Sequence, residues 1–179
     1  CRQTASMIYP NNIVRVVEEM AEYDFGQFEN KTMEQLQLLY PKEYTAWLAG
    51  GADAAPPMGE SNRDFAARLV VGLDQIIREM AGENIRSAAL VTHGGVIMTL
   101  MTLLAYPKKE FSKWVTENGM GFTLLITPSL WMRDRVVEAY GLIPRFYADV
   151  TPELANTFGV RDMVRLVDVS QKQDDEENW

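Results

Sequence analysis

Ser87-Ala-Ala-Leu-Val-Thr-His-Gly-Gly-Val-Ile-Met-Thr-Leu-Met101 is the stretch on which the fold turns. A short apolar, β-prone run ends at Thr92-His93, two glycines follow, and an apolar stretch of helical character begins. This pattern predicts a strand over Ile85–Thr92, a tight turn, and a helix over Val96–Leu104 that stops before Pro107. Gly94 and Gly95 allow close approach of the backbone to a ligand and conformations of positive φ. The N–H groups and dipole at a helix start attract anions, so an imidazole at this point faces whatever anion binds. His93 is the single histidine of the chain. It has two readings: a hydrogen-bonded core histidine, or part of a phosphate site.

Outward from this centre, Ser61 is an N-cap for a helix whose apolar positions Phe65, Leu69, Leu73, Ile76, Ile77 and Met80 share one face, ending at Gly82. Gly50–Glu60, rich in Gly, Ala and Pro, is a loop. Thr32 and Gln35 form a capping-box pattern ahead of a helix through Leu36 and Tyr40, and Pro41 starts a second helix through Tyr44 and Trp47. Thr4–Tyr9 reads as the end of a helix that Pro10 breaks, Ile13–Met20 as a strand, and Glu22–Asn30 as a loop. Gly121–Thr127 and Arg135–Tyr140 suit two strands joined around Pro128–Met132. The order of elements predicts an α/β sheet with an antiparallel end. Thr151-Pro152-Glu153 resembles a helix start, Asp162–Val169 is ambiguous, and Asp174–Glu177 reads as part of a solvated, disordered acidic tail.

Bulk composition narrows the partners. A chain of 179 residues with 47% hydrophobic and 23% charged residues suits one globular domain. A net charge of −8 argues against nucleic acid, while leaving room for a locally positive site that takes a small anion. One cysteine, Cys1, excludes an intrachain disulfide, and one His with one Cys makes no zinc cluster, so neither metal nor cofactor is expected. The apolar stretch Ala88–Ala105 carries His93, two glycines and a change of periodicity. That favours a buried strand-turn-helix over a membrane span. No signal peptide is visible, and the expected location is the cytoplasm.

Four segments, in order, carry a resemblance. Cys1-Arg-Gln-Thr-Ala5 resembles the end of an Arg-Ala-x-Gln-Thr-Ala segment, and Glu22-Tyr-Asp-Phe-Gly-Gln-Phe-Glu29 a Glu-x-x-x-Gly-x-Trp-Glu segment. Pro57-Met-Gly-Glu-Ser61 with Arg68 resembles a Pro-x-Gly-Glu-Ser helix start, and Val91-Thr-His-Gly-Gly-Val96 a second-histidine motif. Together they are similar to the histidine phosphatases, the phosphoglycerate mutase-like superfamily, and within it to bacterial phosphatases related to α-ribazole phosphatase. The resemblance implies a three-layer α/β/α fold and phosphoryl transfer through a phosphohistidine, without metal. Beyond Thr127 it fades, and after Pro144 none is found. Residues 1–143 are therefore assigned to a histidine phosphatase domain, 144–170 to an unassigned extension, and 171–179 to the tail.

The family's nucleophile is a histidine in an Arg-His-Gly motif at the end of the first strand, and this chain has no such motif. The expectation is a truncated chain: the C-terminal part of a longer protein, with the fold incomplete at its N-terminus and inert alone. The missing N-terminal segment of the same protein is then its partner, together with a small-molecule phosphate ester; a homodimer is also allowed. By the same resemblance, His93 stabilises the transferring phosphoryl group, Gly94 adds its backbone N–H, and Glu22 serves as acid and then base. A carboxyl group that holds a proton near neutral pH needs partial burial; the competing reading of Glu22 is a surface loop carboxylate.

Glu60 and Arg68 read as structural, with Arg68 simply solvated on its helix. Gly26, Phe28 and Glu29 shape the loop that carries Glu22, and Asn30 stands where the family often has glycine. Trp114, Glu117, Asn118 and Gly119 either reach a substrate entrance or pack in the ordinary way. Rival functions are a mutase (an isomerase that moves the phosphoryl group within one substrate) and a non-catalytic binding or scaffold relative. A third rival is a hydrolase that uses Cys1 as an N-terminal nucleophile, a chemistry whose stacked antiparallel sheets do not suit the long helix after Ser61.

Overall fold

The computed structural model describes residues 1–143; the expectations for 151–153, 162–169 and the acidic tail lie outside the described residues. The order of elements is α1 (Arg2–Ile8), α2 (Met33–Leu39), α3 (Pro41–Leu48), α4 (Asn62–Gly82), α5 (Gly94–Leu104), β1 (Ala105–Tyr106), β2 (Gly121–Leu125), α6 (Pro128–Asp134) and β3 (Val137–Ile143). Single 3₁₀ turns fall at Glu18–Met20, Gly26–Phe28 and Phe111–Trp114. Helices with a small sheet make this the α/β class that the sequence predicts.

The chain divides into two compact units. The first is Cys1–Thr116 with Ile126–Glu138, and it holds every candidate site residue except the turn Glu117–Gly119. Here β1 runs parallel to the start of β3, with Ala105 opposite Val137 and Tyr106 opposite Glu138. Described residues of the second unit are Glu117–Leu125 and Ala139–Ile143, where β2 is hydrogen-bonded beside β3.

The spine of the first unit is α4. The Ser61 hydroxyl accepts from the Asp64 N–H at 3.1 Å, which satisfies one of the N–H groups a helix start leaves open. Phe65, Leu69 and Leu73, four residues apart, are buried along one face, with Leu69 wholly inaccessible. Gly72 on the same face lies against the Glu18–Met20 turn. A Cβ there would stand 2.6 Å from Glu19 Cβ and 3.0 Å from the Met20 methyl, so only glycine lets the turn come this close. The capping box at Thr32 is present in both directions: Gln35 N–H to Thr32 Oγ1 at 3.3 Å, and Thr32 N–H to Gln35 Oε1 at 2.9 Å. Pro41 at the start of α3 separates it from α2 as its fixed φ and missing N–H require.

Two expected strands are absent. Ile13–Val17 has no regular structure, and Glu18–Met20 closes into a 3₁₀ turn beneath α4. Ile13 is 90% exposed, and Arg15 is drawn toward the end of α4 by a bidentate ion pair with Glu83 at 2.6 and 2.7 Å. Ile85–Thr92 likewise forms no strand. Residues 85–90 are exposed, and no strand pairs with them among the described residues. A β-prone sequence becomes a strand only when a ladder satisfies its backbone groups, so propensity alone overstated both segments. Smaller shifts follow helix chemistry: α4 includes Gly82, and the left-handed residue after it is Asn84, while Arg135 is the left-handed cap of α6, so β3 starts at Val137. Among the described residues no helix is long and apolar enough to cross a membrane.

Asp74 on α4 ties α6 in place. Its carboxylate accepts from Arg78 Nε at 2.6 Å, from Trp131 Nε1 at 3.0 Å, and from Arg135 Nη1. These donors, the Arg78 bond first, hold its pKa at about 2 against the ordinary 3.8. Because the folded-state value is depressed, this stabilisation is fully present above pH 3.8 and is lost as pH falls through 2. Asp74→Asn should therefore lower the melting temperature at neutral pH, and the gap from wild type should close on acidification. A gap independent of pH would contradict the assignment. Leu69→Ala should cost about 2–5 kcal/mol in urea unfolding, as expected for truncating a fully buried leucine.

Candidate active site

The site is built where three chain segments meet: the loop 19–29, the loop 56–61, and the start of α5. The first two loops interlock. Tyr23 hydroxyl donates to Glu60 O at 2.6 Å, Glu60 N–H to Asp24 O at 3.1 Å, Asp24 N–H to Glu60 Oε1 at 2.8 Å, and Gln27 N–H to Pro57 O at 2.9 Å. Gly26 has φ +49°, and a Cβ there would overlap the backbone of Pro57 and Gly59; a Cβ on Gly59 would overlap Asp24 O. The loops can cross at this distance only because both crossing residues lack side chains. Asn30 has φ 57°, a conformation that glycine adopts freely and asparagine tolerates, which accounts for its standing where the family often has glycine.

An aromatic cluster braces the first loop. Phe28 and Tyr44 are buried with Leu36, and Phe25, Tyr40 and Trp47 pack against them. Tyr23 meets Phe65 of α4 edge-on at 5.0 Å between ring centroids, and Trp47 Nε1 donates to its hydroxyl at 3.4 Å. Burial pushes the Tyr23 phenol upward; the bond from Trp47 opposes this, and the neighbouring Glu60 and Asp24 carboxylates add to it. Tyr23 therefore stays a neutral hydrogen-bond donor.

The strongest tie is Arg68, which the sequence reading left as a solvated helix residue. All five guanidinium N–H groups find acceptors: Nε and Nη2 to Glu60 carboxylate oxygens at 2.9 and 2.6 Å, Nη1 to Glu19 O and Ala21 O at 2.7 and 2.8 Å, and Nη2 to Glu22 O at 2.9 Å. The Phe65 ring lies beneath, its centroid 4.8 Å from the guanidinium carbon. The side chains of Arg68 and Glu60 are 25% and 14% exposed, so this fork-to-fork pair is partly withdrawn from solvent. The overlooked signal was a charged residue three positions after Phe65, beside the apolar face of an amphipathic helix.

Glu22 follows directly from this clamp. It is half-buried, and its carboxylate accepts from Tyr23 N–H at 2.9 Å and from Gly95 N–H at 3.2 Å. The acidic loop residue thus caps the first turn of α5, where a negative charge is favoured. A Cβ on Gly95 would stand 2.5 Å from Glu22 Oε1, so a side chain there would push the carboxylate out of this position. The expected positive φ at the paired glycines does not occur, since both lie in the first turn of α5. Thr92 secures the same approach by donating to Met20 O at 3.0 Å.

His93 is the N-cap residue of α5 and is exposed, which rules out the buried core histidine. A Cβ on Gly94 would meet nothing within 4 Å, and among the described residues nothing accepts from the Gly94 N–H. His93, Gly94 and Glu22 are thereby gathered at one helix start. Trp114 does not join them: it is inaccessible to solvent and packs in the turn beside α5, with Lys109 Nζ 4.5 Å from its ring centroid. Glu117, Asn118 and Gly119 form an exposed turn of the second unit. Cys1 is exposed at the start of α1. No group of three His, Cys, Asp or Glu residues able to hold a metal ion occurs among the described residues.

The family model of the histidine phosphatase superfamily (branch 1) matches residues 1–136. The chain belongs to that superfamily. It is similar to a broad-specificity phosphatase of Saccharomyces cerevisiae, 25% identical over 118 residues. Those residues are 66% of this chain and 50% of the relative, so the chain spans about half the length of the curated relative it matches. No solved structure matches it.

The crossing of the two loops gives a direct check. Gly26→Ala should destabilise by at least about 1–3 kcal/mol, since it adds left-handed strain to a backbone overlap. Gly82→Ala, where an added Cβ meets nothing within 4 Å, should be neutral or gain up to about 1 kcal/mol. Denaturant midpoints of the two variants side by side test this; equal midpoints would show that the loops do not cross so closely.

Proposed function

We propose that the protein containing this chain is a phosphatase that hydrolyses a small phosphate monoester through a phosphohistidine. The observation that carries the reading is the Glu22 carboxylate held against Gly95 N–H, two residues after the exposed His93. A proton donor, a hydrogen-bonding imidazole and an open backbone N–H at Gly94 then converge on one helix start. The nucleophile is a second imidazole from polypeptide outside this sequence, because His93 is the single histidine here. Its nitrogen attacks phosphorus as the ester P–O bond breaks, and Glu22 passes a proton to the departing oxygen. Water then attacks phosphorus, Glu22 takes a proton from it, the P–N bond breaks, and phosphate leaves.

The same outside polypeptide supplies the partner of residues 85–92. That segment is exposed and apolar in part, at Ile85 and Leu90, and an added strand would pair its backbone groups. The mutase alternative differs only in the acceptor, a second hydroxyl of the substrate in place of water. A scaffold relative without activity is the reading that the lone histidine itself would favour.

The full-length protein should hydrolyse p-nitrophenyl phosphate without added metal and should form an acid-labile phosphoenzyme during turnover. His93→Ala should lower kcat by about 10²–10³-fold, the loss expected for one electrostatic donor to the transition state. Undiminished turnover by that variant would remove His93 from the site. A full-length protein that neither turns over nor labels would favour the scaffold.

A further inference from the structure

We infer that Arg68 is a positioning residue for the proton transfer, acting through the backbone of Glu22 and mattering most when the leaving group is a poor one. The inference rests on Glu22 as the proton donor proposed above. Two sets of bonds hold that residue. Its carbonyl oxygen accepts from Arg68 Nη2 at 2.9 Å, and its carboxylate accepts from Tyr23 and Gly95 N–H groups at 2.9 and 3.2 Å. The carbonyls of Glu19 and Ala21 are fixed by the same guanidinium through Nη1, so the backbone entering Glu22 is held in one plane by one rigid group. Glu60 fixes the guanidinium in turn, with both carboxylate oxygens engaged.

Arg68 does not reach the start of α5 through any of these bonds; every one of its donors is committed to the loop or to Glu60. Its charge is offset by Glu60, so attraction of the phosphate dianion is not its task. What it controls is the placement of a proton. Proton-transfer efficiency depends on the donor lying within hydrogen-bond reach of the accepting oxygen, and a displacement of about 1 Å can cost about 10²-fold. A lysine keeps the charge but has three donors where five are used, so it cannot hold both the carbonyls and the Glu60 fork.

The test compares two esters in the full-length protein. An alkyl phosphate such as glycerol phosphate needs its leaving oxygen protonated, and an aryl phosphate such as p-nitrophenyl phosphate far less. The measured quantity is the alkyl-to-aryl ratio of kcat/KM, which does not change with the fraction of enzyme that is folded. Glu22→Gln should lower this ratio by about 10²-fold or more. Arg68→Lys and Glu60→Gln should each lower it about tenfold or more, and adding Arg68→Lys to Glu22→Gln should lower it no further. If Glu22→Gln leaves the ratio unmoved, the proton-donor reading of Glu22 fails. If Glu22→Gln lowers it while Arg68→Lys reduces both esters equally, or if the two effects multiply in the double variant, the positioning role is overturned.

Discussion

A single planar cation with every donor satisfied organises the first unit. The Arg68 guanidinium ties α4 to three backbone carbonyls of one loop, those of Glu19, Ala21 and Glu22, and to the carboxylate just before the same helix. Charged hydrogen bonds of this kind are individually strong, and their geometry is fixed by the fork rather than by rotatable bonds. Segments that are far apart in sequence, 19–22 and 60–68, are thereby brought to one register. The crossing at Gly26 and Gly59 and the ring contact of Tyr23 with Phe65 depend on that register.

The site inherits its electrostatics from this arrangement. The chain carries a net charge of −8, yet its candidate site is a helix start with an open Gly94 N–H and an imidazole at the N-cap position, the kind of element that attracts an anion. Glu22 occupies one of the helix N–H groups and leaves the one before it open. The one cation of the loop clamp, Arg68, has all its donors committed to the loop and to Glu60.

Much of this was legible in the sequence, and the pattern of success follows the range of the forces. Caps and breakers act within a few residues, so the capping box at Thr32, the N-cap Ser61 and the break at Pro41 stand where local chemistry puts them. The apolar stripe of α4 was readable because a helix repeats its own face. The strands over 13–20 and 85–92 failed because a strand is half of an interaction, and among the described residues neither segment has its other half. Motif resemblance singled out His93 and Glu22 as residue types, and the structure brings both to the start of α5. The closeness of Gly95 to the Glu22 carboxylate, and the part played by Arg68, could not be seen until the loop and the helix start were placed together.

The exposed run from Ile85 to Leu90 has one more consequence, and it concerns the polypeptide before it works as anything. The Ile85 N–H is bonded to Met80 O at 2.8 Å, but the backbone that follows it has no ladder partner among the described residues, and a run of this kind with apolar side chains facing water is a template that copies of the same chain can use. Pairing of one copy with another through such a run is a two-body event, so its rate grows with concentration.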